Sequence, residues 1–186
     1  MTIARTATVR TALAAALLAP ALALLSTPAQ ANTGTLPAWL KCRTTALTEF
    51  NGTIVDAAIA TPDLSTLVSL VKAADLVGPL SGKGPLTVFA PTNAAFGKVP
   101  AALLDLIGGD TKLLTSVLTY HVTPGSADPR RTLSPMQVKT LNGQTVFVGF
   151  DASGASVNQS TAACKGVKTT NGTVWIIDSV LLPQFQ

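Results

Sequence analysis

One histidine, two cysteines and nine scattered carboxylates are the main resources this 186-residue chain offers to catalysis or metal binding. A Ser-His or Cys-His nucleophile must use His121, the only histidine. None of the serines stands in a G-x-S-x-G elbow. Triad partners assemble in space, so a hydrolase built on His121 stays open at this level. Beside Tyr120 at the end of a helical stripe, the imidazole reads first as a local hydrogen-bonding residue. The segment Gly78-Pro79-Leu80-Ser81-Gly82-Lys83-Gly84 has the outline of a phosphate loop. It is one residue short between its glycines, and Gly84 stands where a Mg²⁺-binding hydroxyl is needed. Nearby prolines suit a surface turn instead. There is no calcium-loop spacing, and one histidine does not build a zinc site alone. The expectation is no catalytic residue, no metal and no cofactor.

The cysteines are Cys42 and Cys164, with no CxxC. In an exported chain they fit one structural bridge across a very long loop, for which chain entropy predicts about 4–5 kcal/mol. Three N-x-S/T triplets begin at Asn51, Asn158 and Asn171. They are glycan acceptors in a eukaryotic secretory pathway, but two contain Asn-Gly and read first as turns.

Export is written at the start of the chain. Arg5 and Arg10 make a positive n-region, residues 11–25 are apolar, and Ala29-Gln30-Ala31 is a small-residue cleavage site. This divides the chain into a signal peptide at 1–31, a lead-in at 32–50 tethered by the disulfide, and a domain at 51–186. Removing the two arginines leaves 11 basic against 9 acidic residues. With no basic run longer than Arg130-Arg131, nucleic acid is not an expected partner. Past the signal no apolar run spans a bilayer, no Cys follows closely enough for a lipid anchor, and the C-terminus is not an anchor tail. The expected location is secreted, or periplasmic or cell-envelope. At 47% apolar and 12% charged residues the chain is globular rather than disordered.

The elements follow from period and punctuation. A helix starts near Thr53. Thr61, Pro62 and Asp63 open another, whose stripe of Leu64, Leu67, Val68 and Val71 is stopped by Gly78-Pro79. Residues 86–89 form a short strand, and Thr92 caps a helical turn. Pro100 opens a helix closed by Gly108-Gly109. Asp110 caps a further one carrying Leu113, Leu114, Val117 and Leu118. Strands at 138–141 and 144–150 flank Asn142-Gly143, a strong hairpin signal, and a long apolar strand runs over 173–182. Helices first and strands later give an α+β domain.

Three of these stretches carry a family resemblance. TVFAPTNAAF at 87–96 resembles the first signature block of the fasciclin (FAS1) domain, Tyr120-His121-Val122 its central motif, and NGTVWIIDSVLLP at 171–183 its second block. With its two cysteines, the chain is similar to small secreted bacterial fasciclin proteins of the MPB70-like kind. The resemblance implies a wedge-shaped β-sandwich with helices packed along one side. It makes Thr87, Val88, Phe89 and Phe96 framework positions, and Pro91, Thr92 and Asn93 the shapers of a turn. His121 fixes that turn and Asp178 braces the last strand. It also implies a non-enzymatic adhesion or protein-interaction module, with Tyr120, His121, Val122 and Leu118 as the partner-binding region. The protein or matrix partner itself is unknown. Integrin recognition does not transfer, because there is no Arg-Gly-Asp. The alternative is a carrier of an apolar small molecule such as a carotenoid.

Overall fold

The computed structural model describes residues 38–132, 134–151 and 154–185. The signal segment and its cleavage site lie outside them. Helix α1 (Ala38–Thr44) and strand β1 (Thr48–Glu49) come from the lead-in. Helix α2 (Ile54–Ile59) starts at a capping box: Asp56 N donates to Thr53 Oγ1, and Thr53 N donates back to Asp56 Oδ2 at 2.8 Å. Thr61 does not cap the next helix as expected. Its hydroxyl donates backwards to Ala57 O at 2.8 Å, and Pro62–Leu64 forms a 3-10 turn that hands over to α3 (Ser65–Ala73). Nor does that helix run to Gly78-Pro79. Asp75 takes a left-handed φ of 55°, Asp75 N donates to Lys72 O and Leu76 N to Val71 O, and this Schellman closure ends α3 early. Gly78 and Pro79 instead lie in the first turn of α4 (Val77–Ser81), where the missing N–H costs nothing.

Strand β2 (Leu86–Pro91) runs into α5 (Asn93–Gly97), capped by Thr92 Oγ1 accepting from Ala95 N. Pro100 precedes α6 (Ala101–Gly109). Asp110 then caps α7 (Thr111–Tyr120), its Oδ1 accepting from Lys112 N and Leu113 N at 2.7 and 3.2 Å. Strand β3 (Val122–Pro124) follows. The hairpin of β4 (Met136–Lys139) and β5 (Thr145–Asp151) turns at Gly143, whose φ of +94° suits glycine. The remaining strands are β6 (Gly154–Val157), β7 (Ser160–Ala162), β8 (Val167–Lys168) and β9 (Gly172–Ile177). The last is shorter than the apolar run suggests, because Asp178 turns its carboxylate to Thr161 N at 2.9 Å and the chain leaves the ladder.

Among the described residues the sheet runs β1-β8-β9-β7-β6-β5-β4, with β2 on the other side of β9 and β3 beyond it. The β2–β9 pair is parallel over six residue pairs, from Leu86↔Gly172 to Pro91↔Ile177. The β1–β8 pair is also parallel, and the other ladders are antiparallel. Alternation along β2 and β9 feeds two cores. Val88, Ala90 and Val174 meet α2, α3, α6 and α7 through Ile54, Leu67, Ile107, Leu114 and Val117. Phe89, Trp175 and Ile177 point the other way, against Val146, Val148, Ala155 and Val157 of the strand layer. This is an α+β fold with helices on one face of a folded-over sheet.

At the entry to the β2–β9 pair two backbones touch. A Cβ on Gly84 would sit 1.8 Å from Asn171 O, and one on Gly172 would sit 2.0 Å from Leu86 O. Only glycine permits either approach.

Candidate functional site

Helix α7 delivers Tyr120 and His121 to the line where the two cores meet. Leu114, Val117 and Leu118 seat it on the helical core, so Tyr120 at its last turn reaches over to the strand core. His121 is the C-cap and is 2% exposed. Its Nδ1 lies 2.8 Å from Val117 O, and its Nε2 accepts from Leu181 N at 2.9 Å. A carbonyl needs a donor and an amide needs an acceptor. The ring is therefore neutral, with the proton on Nδ1. Burial, only partly opposed by the hydrogen bond to Val117, lowers its pKa from 6.5 to about 4. Both ring nitrogens are committed to backbone groups, and none of the serines among the described residues is their partner. Among the described residues no cluster of three His, Cys, Asp or Glu side chains converges.

The ring does not hold the 91–93 turn, as the motif reading proposed. It pins the C-terminal segment at Leu181, while its own backbone O accepts from Phe89 N at 2.9 Å. The turn has its own fastenings. Thr92 caps α5. Asn93 Oδ1 accepts from Thr66 N at 2.9 Å, and its Nδ2 donates to Pro62 O and Ser65 Oγ. Pro91 and Phe96 are buried beside it.

Tyr120, Val122 and Leu118 are also buried, the last two in the helical core. Of the four residues proposed to meet a partner, Tyr120 comes nearest to solvent. Its hydroxyl donates to Thr145 O at 3.1 Å and accepts from Asn158 Nδ2 at 3.2 Å. The phenol forms part of the floor of an open groove of about 1140 Å³, walled by Leu113, Asn142, Phe147, Asn158 and Phe185. Phe147 and Phe185 are about half exposed. The far wall is the C-terminal tail. It is held like a strand by one side chain: Gln144 Nε2 donates to Gln184 O at 2.8 Å, and Gln184 N donates to Gln144 Oε1 at 2.9 Å.

The fasciclin domain model matches residues 62–183. The chain belongs to the fasciclin family. The chain is 45% identical over 138 residues to the cell surface glycolipoprotein MPB83 of Mycobacterium bovis, covering 72% of this chain and 61% of MPB83. It is 42% identical over 132 residues to the immunogenic protein MPB70 of the same species, covering 68% and 67%. It is 40% identical over 140 residues to protein sll1483 of Synechocystis, covering 74% and 77%. A FAS1 domain pair from the insect cell adhesion molecule fasciclin I superposes with a TM-score of 0.47 at 18% identity, over 64% of this chain and 45% of that one.

The family blocks place the remaining motif residues. Thr87 Oγ1 donates to Gly125 O at 2.8 Å and accepts from Ala127 N at 2.9 Å, fixing the chain after β3. Val88 faces the helical core and Phe89 the strand core. Asp178 accepts from Thr161 N and Ser179 Oγ and pairs with Lys98 at 3.5 Å. Cys42 and Cys164 are bonded, with their Cα atoms 4.8 Å apart.

Several residues escaped the sequence reading. Asn171, taken for a turn and a glycan acceptor, is a buried clamp. Its Oδ1 accepts from Ile54 N, and its Nδ2 donates to Leu80 O and Gly82 O, each at 2.9 Å. Asn158 holds Phe147 N and Tyr120 together. Arg130, read only as half of a basic pair, is 4% exposed. The position of Asn171 at the head of the second block was its one legible signal. Gln144 and Gln184 had none.

Proposed function

We propose that this fasciclin-domain protein is an exported, non-enzymatic interaction module of the cell envelope. We place its docking groove between β5, the C-terminal tail and the last turn of α7. The observation that carries this reading is the pair of half-exposed phenylalanines, Phe147 and Phe185, flanking an open groove. That groove is floored by polar groups with fixed orientation. Aromatic walls supply contact area at low entropic cost, and the oriented amides supply register. The YH motif acts from below: Tyr120 aligns the floor and His121 holds the tail that makes one wall. Export rests on the Arg5-to-Ala31 leader, on the disulfide, and on the cell-surface name of a relative. No helix among the described residues is long and apolar enough to cross a membrane.

The test is retention of the labelled protein on the surface of its producing cells. Phe147→Ser combined with Phe185→Ser lowers retention about tenfold or more while the melting temperature holds. Retention equal to that of the parent would move the interface elsewhere.

An apolar hollow of about 180 Å³ gives the carrier reading a narrower form. It is lined by Phe96, Leu104, Ile107, Leu114, Val117 and Val180. Cavities of about 150 Å³ take benzene-sized rings, so this one suits a small apolar ring rather than the long polyene of a carotenoid. An excess native mass that is released on denaturation would identify such a ligand.

A further inference from the structure

The chain has no basic run longer than two residues, yet the fold brings several cations distant in sequence together around the disulfide. Cys42 is buried in α1, so its neighbours Lys41 and Arg43 diverge to either side of it, both exposed. The bridge to Cys164 sets exposed Lys165 beside them. Arg130 reaches up to the same place, donating from Nη1 to Cys164 O at 3.1 Å and also to Thr45 O. Arg131 therefore emerges there too, 84% exposed. Asp128 is shared between Arg130 and Arg131. Among the described residues no ion pair involves Lys41, Arg43 or Lys165.

The same helix carries an aromatic residue. Trp39 is one turn before Arg43, so the two share a side of α1, and the indole is 42% exposed. Arg43 in turn lies 5.7 Å over the Phe150 ring, which braces it outward from β5. An open groove of about 640 Å³, lined by Ser126, Arg131 and Lys168, adjoins this surface.

We propose that this disulfide end is a docking surface for an anionic lipid bilayer. Clustered cations satisfy the charge of the headgroups, and a half-exposed indole with a polar N–H settles at the boundary between headgroup and acyl chain. A soluble polyanion would use the cations and leave Trp39 idle. The bilayer uses both, which is why it is the occupant we favour. The surface shares no lining residue with the groove over Tyr120, so its failure would leave the interaction-module reading intact, and the reverse.

The experiment is co-sedimentation of the oxidised, exported chain with phosphatidylcholine vesicles, with and without phosphatidylglycerol, at low and high salt. Tryptophan fluorescence is followed alongside. Expected are binding only when phosphatidylglycerol is present, release by salt, and a blue shift that disappears in Trp39→Ser. Each cation removed weakens binding about fivefold, so Lys41→Gln with Lys165→Gln lowers it about 25-fold. A matched pair on the helical side, Lys72→Gln with Lys112→Gln, changes it little. An unchanged melting temperature shows that each variant folds. Equal binding to both vesicle types, or an effect of the control pair as large as that of the test pair, would overturn the proposal. So would binding to soluble polyphosphate that matches vesicle binding and is indifferent to Trp39.

Discussion

The guanidinium of Arg130 lies over the indole of Trp175, 4.7 Å from Cζ to the ring centroid. The indole N–H beneath it donates to Ala127 O at 3.0 Å. Asp128 closes the arrangement from the side, at 2.9 Å from Nη2. Burial works to raise the Asp128 carboxyl, but the hydrogen bonds and charge of Arg130 outweigh it and hold the pKa below 3.8. One side chain thus joins the lead-in, the loop after β3, the second half-cystine and the strand core.

Arg130→Ala removes all of this and strands Asp128. Loss of one partner of a buried pair costs about 3 kcal/mol. Arg130→Lys keeps the charge but not the fork, and recovers less than half. Urea unfolding of the three proteins measures both differences.

His121 gives the protein an acid-sensitive latch. The folded pKa of about 4 lies below the unfolded 6.5, so its contribution is complete above about pH 6.5. It falls as pH drops toward 4 and is flat below that. The full loss is about 3 kcal/mol. The lowered carboxylates Asp56, Asp128 and Asp178 begin to add their own loss from about pH 5 and add most of it below 3.8. A stability curve with no slope between pH 6.5 and 4 would contradict this. Between pH 6.5 and 5 the slope disappears in His121→Gln even though that variant is less stable overall.

Reducing the Cys42–Cys164 bridge frees a separation of 122 residues. About 5 kcal/mol of stability is lost on the chain-entropy account. The check is the urea midpoint with and without a reductant, beside Cys42→Ser with Cys164→Ser.

The Asn-Gly pairs differ in chemical lifetime. Succinimide formation needs the Asn side chain free to turn onto the following amide, with loss of ammonia. Asn171 is held at both side-chain atoms, and Asn142 donates to Ser116 Oγ at 2.8 Å and accepts from Gln144 N at 3.2 Å. Asn51 is exposed and makes no side-chain hydrogen bond among those described. Peptide mapping after mild alkaline ageing therefore finds deamidation at Asn51, and at Asn142 and Asn171 only once the protein is unfolded.

Legibility in the sequence followed the range of the interaction. Thr53, Thr92 and Asp110 were readable because a cap acts within three residues, and the Asn142-Gly143 hairpin for the same reason. The end of α3 was misplaced because Gly78-Pro79 is a louder signal than Asp75, whose left-handed φ has no strong marker. The short strands β1, β3 and β8 exist only by virtue of their partners, so no local period announces them. At the site, the tyrosine–histidine pair was visible as a motif but its orientation was not. Burial of Leu118, His121 and Val122 depends on elements 50 or more residues away, such as Leu181. The groove walls Phe147 and Phe185 carried no signal beyond being apolar.

The parallel pairing of β2 with β9 has a consequence for biosynthesis. Leu86 and Gly172 are register partners, so the centre of the sheet cannot close until residues 172–177 have been made. The helices and β2 emerge first with the inner edge of β2 unpaired, and the last strand to appear slots beside it. Such long-range closure folds slowly. A chain whose central strand pair waits for residues 172–177 stays open through most of its synthesis, and the sheet locks only once that strand is in place.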